Sequence, residues 1–84
     1  MIQKRTSFNN FQTYDLGLAG TLITLGFQSC SLDKLNPKKV QFCFDYSDNI
    51  QTSAEAYWAG EVKVNPRTYF DNLKLLKNRI YSDV

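Results

Sequence analysis

The sequence predicts an α+β fold: a small single domain of one helix, a β-hairpin and two C-terminal helices, in the order α-β-β-α-α with room for short edge strands. Three observations carry this expectation. The run LGLAGTLITLGF at 16–27 is apolar and bracketed by helix start and stop residues. VQFCFDYS at 40–47 alternates with the two-residue period of a strand. NPRTYFDNLKLLKNRIY at 65–81 opens with a helix-start pair and repeats its apolar residues every three or four positions.

In the first helix, Asp15 stands as N-cap, where its carboxylate can accept the orphan amide hydrogens of the first turn. Leu18, Leu22 and Leu25 recur at helical spacing with Ala19 and Ile23 beside them, and Gly26 follows as a C′ residue. Apolar residues run nearly all the way round, so this is the element expected to be most buried. Gly17 and Gly20 each weaken it by about 1 kcal/mol relative to alanine, which points to close approach of another element.

The hairpin brings Cys30 and Leu32 against Val40, Phe42 and Phe44, with Asn36-Pro37 as the turn and Lys34, Lys38 and Lys39 making its tip basic. Matching the apolar faces fixes the register to within an even shift and sends Cys43 to the face opposite Cys30. No internal disulfide is expected. Because two strands alone are marginal in water, either a helix covers their apolar face or a further strand joins them, with FNNFQTY at 8–14 and VKV at 62–64 as the candidates for that strand.

Ser47 or Asp48 caps the second helix, whose apolar stripe is Ile50, Ala54, Tyr57 and Trp58, with Gly60 at its end. Trp58 at this spacing reads as core, against the alternative of a stacking or interface residue. Asn65-Pro66 then places an N-cap before proline at N1, where the missing donor costs nothing, and the last helix runs to Tyr81.

At 84 residues the chain is expected to be one domain, 1–84, with residues 1–7 as a flexible N-terminal arm. Its net charge of +2 is too small to make nucleic-acid binding the default, so any electrostatic argument depends on where the charges sit. Two cysteines outside any C-x-x-C pair make neither a disulfide framework nor a zinc site, and they fit a reducing compartment. The absence of histidine removes Ser-His-Asp and Cys-His catalysis. MIQKRTSFNNF turns polar where a signal peptide would be apolar, and no segment is long enough to span a bilayer, so a cytoplasmic protein without membrane attachment is expected.

FQTYDLGLAGTLITLGF, LDKLNPKKVQFCFDYSD and YWAGEVKVNPRTYFDNLKLLKNRIY together resemble a small family of prokaryotic domains of unknown function, over nearly the whole chain from Phe11 on. The resemblance implies a free-standing small protein or module of bacteria and mobile elements. It brings no activity and no functional residues.

Asp33, Asp45 and Asp48 surround the hairpin, where metal-dependent nucleases place converging carboxylates, but the companion acidic residue two positions before a lysine is missing from VQFCFDYS. They read as turn and helix caps or solvated strand ends. GLAGT at 17–21 lacks the lysine of a phosphate loop. No enzymatic activity, metal or cofactor is expected.

On the last helix, Tyr69, Leu73, Leu76 and Ile80 fall within one arc and are expected to face the core. A quarter turn away lie Phe70, Lys74, Lys77 and Tyr81, with Arg67 at the N-terminal end. This second stripe suits a phosphate backbone and unpaired bases, or else it is an amphipathic border with lysine stems along the core edge. With the basic hairpin tip, it nominates Lys34, Lys38, Lys39, Arg67, Phe70, Lys74, Lys77 and Tyr81 as a nucleic-acid-binding surface, and a small non-enzymatic nucleic-acid-binding or regulatory accessory protein as the leading expectation. The alternative is a protein-interaction module, a homodimer, adaptor or inhibitor, with an exposed apolar patch around Tyr46, Tyr57, Trp58 or Phe70.

Overall fold

The computed structural model describes residues 10–27, 30–36 and 38–82. Residues 1–7, read as an arm, and Pro37 of the hairpin turn lie outside them. The elements are β1 (Asn10–Thr13), α1 (Leu16–Thr24), β2 (Ser31–Asp33), β3 (Gln41–Asp45), α2 (Asp48–Trp58) and α3 (Pro66–Tyr81). The expected order of helix, hairpin and two helices is present, preceded by one edge strand. That strand comes from the 8–14 segment, whereas Val62 to Val64 forms no strand and its valines instead flank a cavity.

β3 is the middle of an antiparallel three-stranded sheet ordered β1-β3-β2. Because β1 and β2 both run antiparallel to β3, they are parallel to each other, and β1-α1-β2 is a βαβ unit with β3 inserted between its strands. Leu32 lies across from Phe42, and Phe11 across from Phe44, so the apolar side chains of all three strands share one face. All three helices cover that face. Phe42 and Phe44 are buried with Leu18, Leu22, Ile50, Ala54 and Leu76 in a single core. The outer face carries Gln12, Ser31, Gln41 and Cys43. Cys43 thus points away from Cys30, which packs at the core margin, and both thiols are free.

Each helix starts with a side-chain cap. Asp15 accepts from the Leu18 amide at 3.0 Å, Ser47 from Ile50 at 3.1 Å, and Asn65 from Arg67 at 2.9 Å and Thr68 at 3.0 Å. Gly26 and Gly60 lie just past the ends of α1 and α2 with φ of 107° and 74°, values at which a side chain would be strained. In α1 the run Leu18 to Leu22 is buried without interruption. The hydroxyls of Thr21 and Thr24 satisfy themselves by donating to the carbonyls of Gly17 and Gly20, and Asn72 of α3 donates to Thr24 Oγ1 at 2.9 Å, tying α3 to α1.

Two expectations about packing are corrected. Trp58 is 62% exposed rather than core. Each i+4 step advances about 400°, so two steps carry Trp58 about 80° away from the direction of Ile50, and it stops at the border with its ring edge-on to Tyr57. On α3, Leu76 is fully buried but Tyr69, Leu73 and Ile80 are only half-buried.

Candidate nucleic-acid interface

The hairpin tip is built from local side-chain contacts. Asp33 accepts from the Leu35 amide at 3.0 Å, Asn36 accepts from the Lys38 amide at 2.9 Å, and the Lys39 amide closes the turn on the Asn36 carbonyl at 3.0 Å. Asp33 therefore acts as a turn cap, and Asp48 sits in the first turn of α2, where its charge favours the helix N-terminus. Among the described residues, no three acidic or thiol side chains gather as a metal site.

The three tip lysines do different things. The Lys34 ammonium turns back and donates to the main-chain oxygens of Arg79 and Ser82, the latter at 2.9 Å, so it caps the last turn of α3. Arg79 reciprocates by donating to the Cys30 carbonyl at 3.1 Å. These contacts hold both ends of β2 against the end of α3. Burial raises the pKa of the Cys30 thiol, and the nearby Arg79 guanidinium opposes that shift.

Lys38 and Lys39 instead line a groove of about 390 Å³ between the tip, the β1–α1 junction and the end of α3. Its floor is apolar, formed by Leu16, Val40, Phe42 and Ile80, and its sides carry Tyr14 and Tyr81. The Lys39 ammonium lies 4.8 Å from the centre of the Tyr14 ring. Among the described residues, no acidic side chain lines the groove.

From Tyr81 the stripe on α3 leads away through Lys77, Lys74, Phe70 and Arg67, all exposed, over about 21 Å of helix axis at 1.5 Å per residue. Lys74 sits over the Phe70 ring at 5.1 Å, and Arg67 is paired with Asp71 at 3.8 Å, which offsets its charge. Of the eight residues nominated from sequence, Lys38, Lys39 and Tyr81 come together at the groove. Lys77, Lys74, Phe70 and Arg67 extend from it, and Lys34 is directed elsewhere. Tyr14 was missed. It precedes the Asp15 cap and follows the last β1 residue, and nothing in the local sequence connects it to Tyr81.

A family model described as Domain of unknown function (DUF5659) matches residues 8–82. The chain belongs to this family. No curated protein and no solved structure matches the chain. The DUF5659 match spans every described element, so both sides of the groove, Tyr14 and Tyr81, belong to the DUF5659 domain itself. Membership in the DUF5659 family brings no activity with it. No helix among its described residues is long and apolar enough to cross a membrane.

Proposed function

We propose that this domain is a small, non-enzymatic nucleic-acid-binding or regulatory accessory protein that holds a phosphate backbone with its hairpin tip and α3. The observation that supports this most is the meeting of Lys38, Lys39 and Tyr81 at one groove, because it joins the basic tip to the basic and aromatic stripe of α3. Lys77 and Lys74 continue the positive surface along the helix, with Phe70 beside them. Ammonium groups so spaced release counterions from a polyanion, and the rings add contacts that carry no charge. The setting that fits two free thiols is a reducing cytoplasm.

Fluorescence anisotropy with labelled oligonucleotides at two salt concentrations tests the reading. Binding should weaken steeply with salt, and Lys38/Lys39→Ala should lower affinity for all sequences about equally. No binding at about 50 mM salt, where phosphate contacts are strong, would overturn it.

One observation favours a second reading, that of a protein-interaction module. Trp58 is 62% exposed at the end of α2, outside the groove, and large exposed aromatic side chains anchor protein interfaces. Sedimentation of the domain over a range of concentrations, with Trp58→Ala beside it, tests the homodimer form of this reading.

A further inference from the structure

We infer that the groove between Tyr14 and Tyr81 seats an unpaired nucleobase, so that the nucleic acid this domain takes is single-stranded. This rests on the nucleic-acid reading and adds the substrate class to it.

The floor and the rim of the groove differ in chemistry. Phosphates alone need cations and polar donors, yet below Lys38 and Lys39 the groove is floored by Leu16, Phe42 and Ile80. An apolar floor under a basic rim suits a ligand with a flat apolar face and an anionic attachment, which describes a base on its phosphate. At about 390 Å³ the groove lies within the size range of small-ligand sites. Tyr14 and Tyr81 are 54% and 81% exposed, so both rings are open to a stacking partner, Tyr14 on the side that Lys39 does not cover. The Tyr14 ring is also held under the Lys39 ammonium, which orients it before a ligand arrives.

A base inside a duplex has both faces covered by its neighbours and cannot reach the floor without leaving the stack. Duplexes should therefore engage only the lysines. A single strand can place one base in the groove while its next phosphates run along Lys77 and Lys74 on α3.

The test compares three labelled probes of equal phosphate count at about 50 mM salt: a single strand, an abasic strand with the same backbone, and a duplex. The single strand should bind about 5- to 150-fold more tightly than the abasic strand, the range expected for stacking of one base. Tyr14→Ala/Tyr81→Ala should erase that difference, and Tyr14→Phe/Tyr81→Phe, which keeps the rings, should retain it. Because both tyrosines are exposed, the alanine variant is expected to fold, and Tyr81→Ala alone, at an 81% exposed position, reads the same loss should the double variant not fold. Equal binding of the natural and abasic strands, with Lys38/Lys39→Ala weakening both, would overturn base seating and leave the nucleic-acid reading standing. Absence of binding to all three probes would overturn both.

Discussion

A Cβ on Gly17 would lie 2.5 Å from the Tyr57 hydroxyl, so the first turn of α1 and the end of α2 touch where no side chain fits. The same atom would be 3.2 Å from Asp15 Oδ1, the oxygen that caps α1. At Gly20 a Cβ would lie 2.7 Å from Leu73 Cδ2, a terminal methyl on a half-buried side chain. Both glycines forgo about 1 kcal/mol of helix propensity, so alanine would stabilise if there were room. Gly17→Ala must displace a tyrosine ring as a unit and disturb the cap, and a net loss of about 1–3 kcal/mol is expected. Gly20→Ala should cost less, because a leucine methyl can rotate away. Urea denaturation of the two variants checks the order, and a stabilised Gly17→Ala would contradict the close approach.

Burial ranks the leucines of the α1–α3 contact. Leu22 and Leu76 are fully buried, so alanine at either should cost about 2–5 kcal/mol, a large part of the stability of a small domain. Leu73 is half-buried and should cost less than either. Lys74→Ala, on the exposed stripe, should stay within about 0.5 kcal/mol. Equal losses at Leu73 and Lys74 would contradict the orientation of α3.

What was legible in the sequence was local. Asp15, Ser47 and Asn65 declare helix starts because each cap bonds an amide within three residues, and β3 declares its inner face because Phe42 and Phe44 alternate with Gln41, Cys43 and Asp45 within one strand. The central place of β3 was not legible, since pairing β1 with it requires contacts such as Phe11 with Phe44. The groove has the same origin: Tyr14, Lys39 and Tyr81 meet only through the fold. Lys34 looked equivalent to Lys38 and Lys39 by composition, and only the position of the α3 terminus distinguishes it. Trp58 was misread because two i+4 steps accumulate enough rotation to leave the buried stripe.

Alkaline pH should destabilise the domain partly through Tyr57. Burial, and then the neighbouring Asp15 carboxylate and Tyr69, push its phenol pKa above the ordinary value. The folded state therefore holds the proton more tightly than the unfolded chain. That contribution is fully present below the unfolded value of about 10 and is lost as pH rises from there through the folded value. Tyr57→Phe keeps the ring and removes the titration, so its stability should fall less steeply above about pH 10 than that of the wild type. Parallel curves would show that Tyr57 carries none of the effect.

Stability should be indifferent to reductant. Ser31, not Cys30, lies across from Cys43, and Cys30 packs against the core while Cys43 accepts from Gln12 on the outer face of the sheet. A disulfide needs Cβ atoms about 3.5–4.5 Å apart and directed at each other, whereas these two thiols are free and serve opposite faces of the sheet. Thermal midpoints with and without reducing agent should coincide, and thiol titration of the unfolded chain should find two free groups. A midpoint that drops by many degrees under reduction would mean that the hairpin register is different.

Stability and binding should separate among the three tip lysines. Lys34 donates to the carbonyls of Arg79 and Ser82 at the negative end of α3, an interaction worth about 0.3–1 kcal/mol and weakened by salt. Lys34→Met should therefore lower stability by about that amount, more at low salt than at high, while leaving oligonucleotide affinity and its salt slope unchanged. Lys38→Ala and Lys39→Ala, at the groove rim, should each leave stability within about 0.5 kcal/mol. Their loss together should reduce the salt slope for a single strand by roughly 1.4 units, at about 0.7 per phosphate contact. Denaturation and anisotropy on the same preparations read both quantities. A salt slope reduced as much by Lys34→Met as by a groove lysine would mean that Lys34 leaves the helix end to meet phosphate, and the capping role assigned to it would fall.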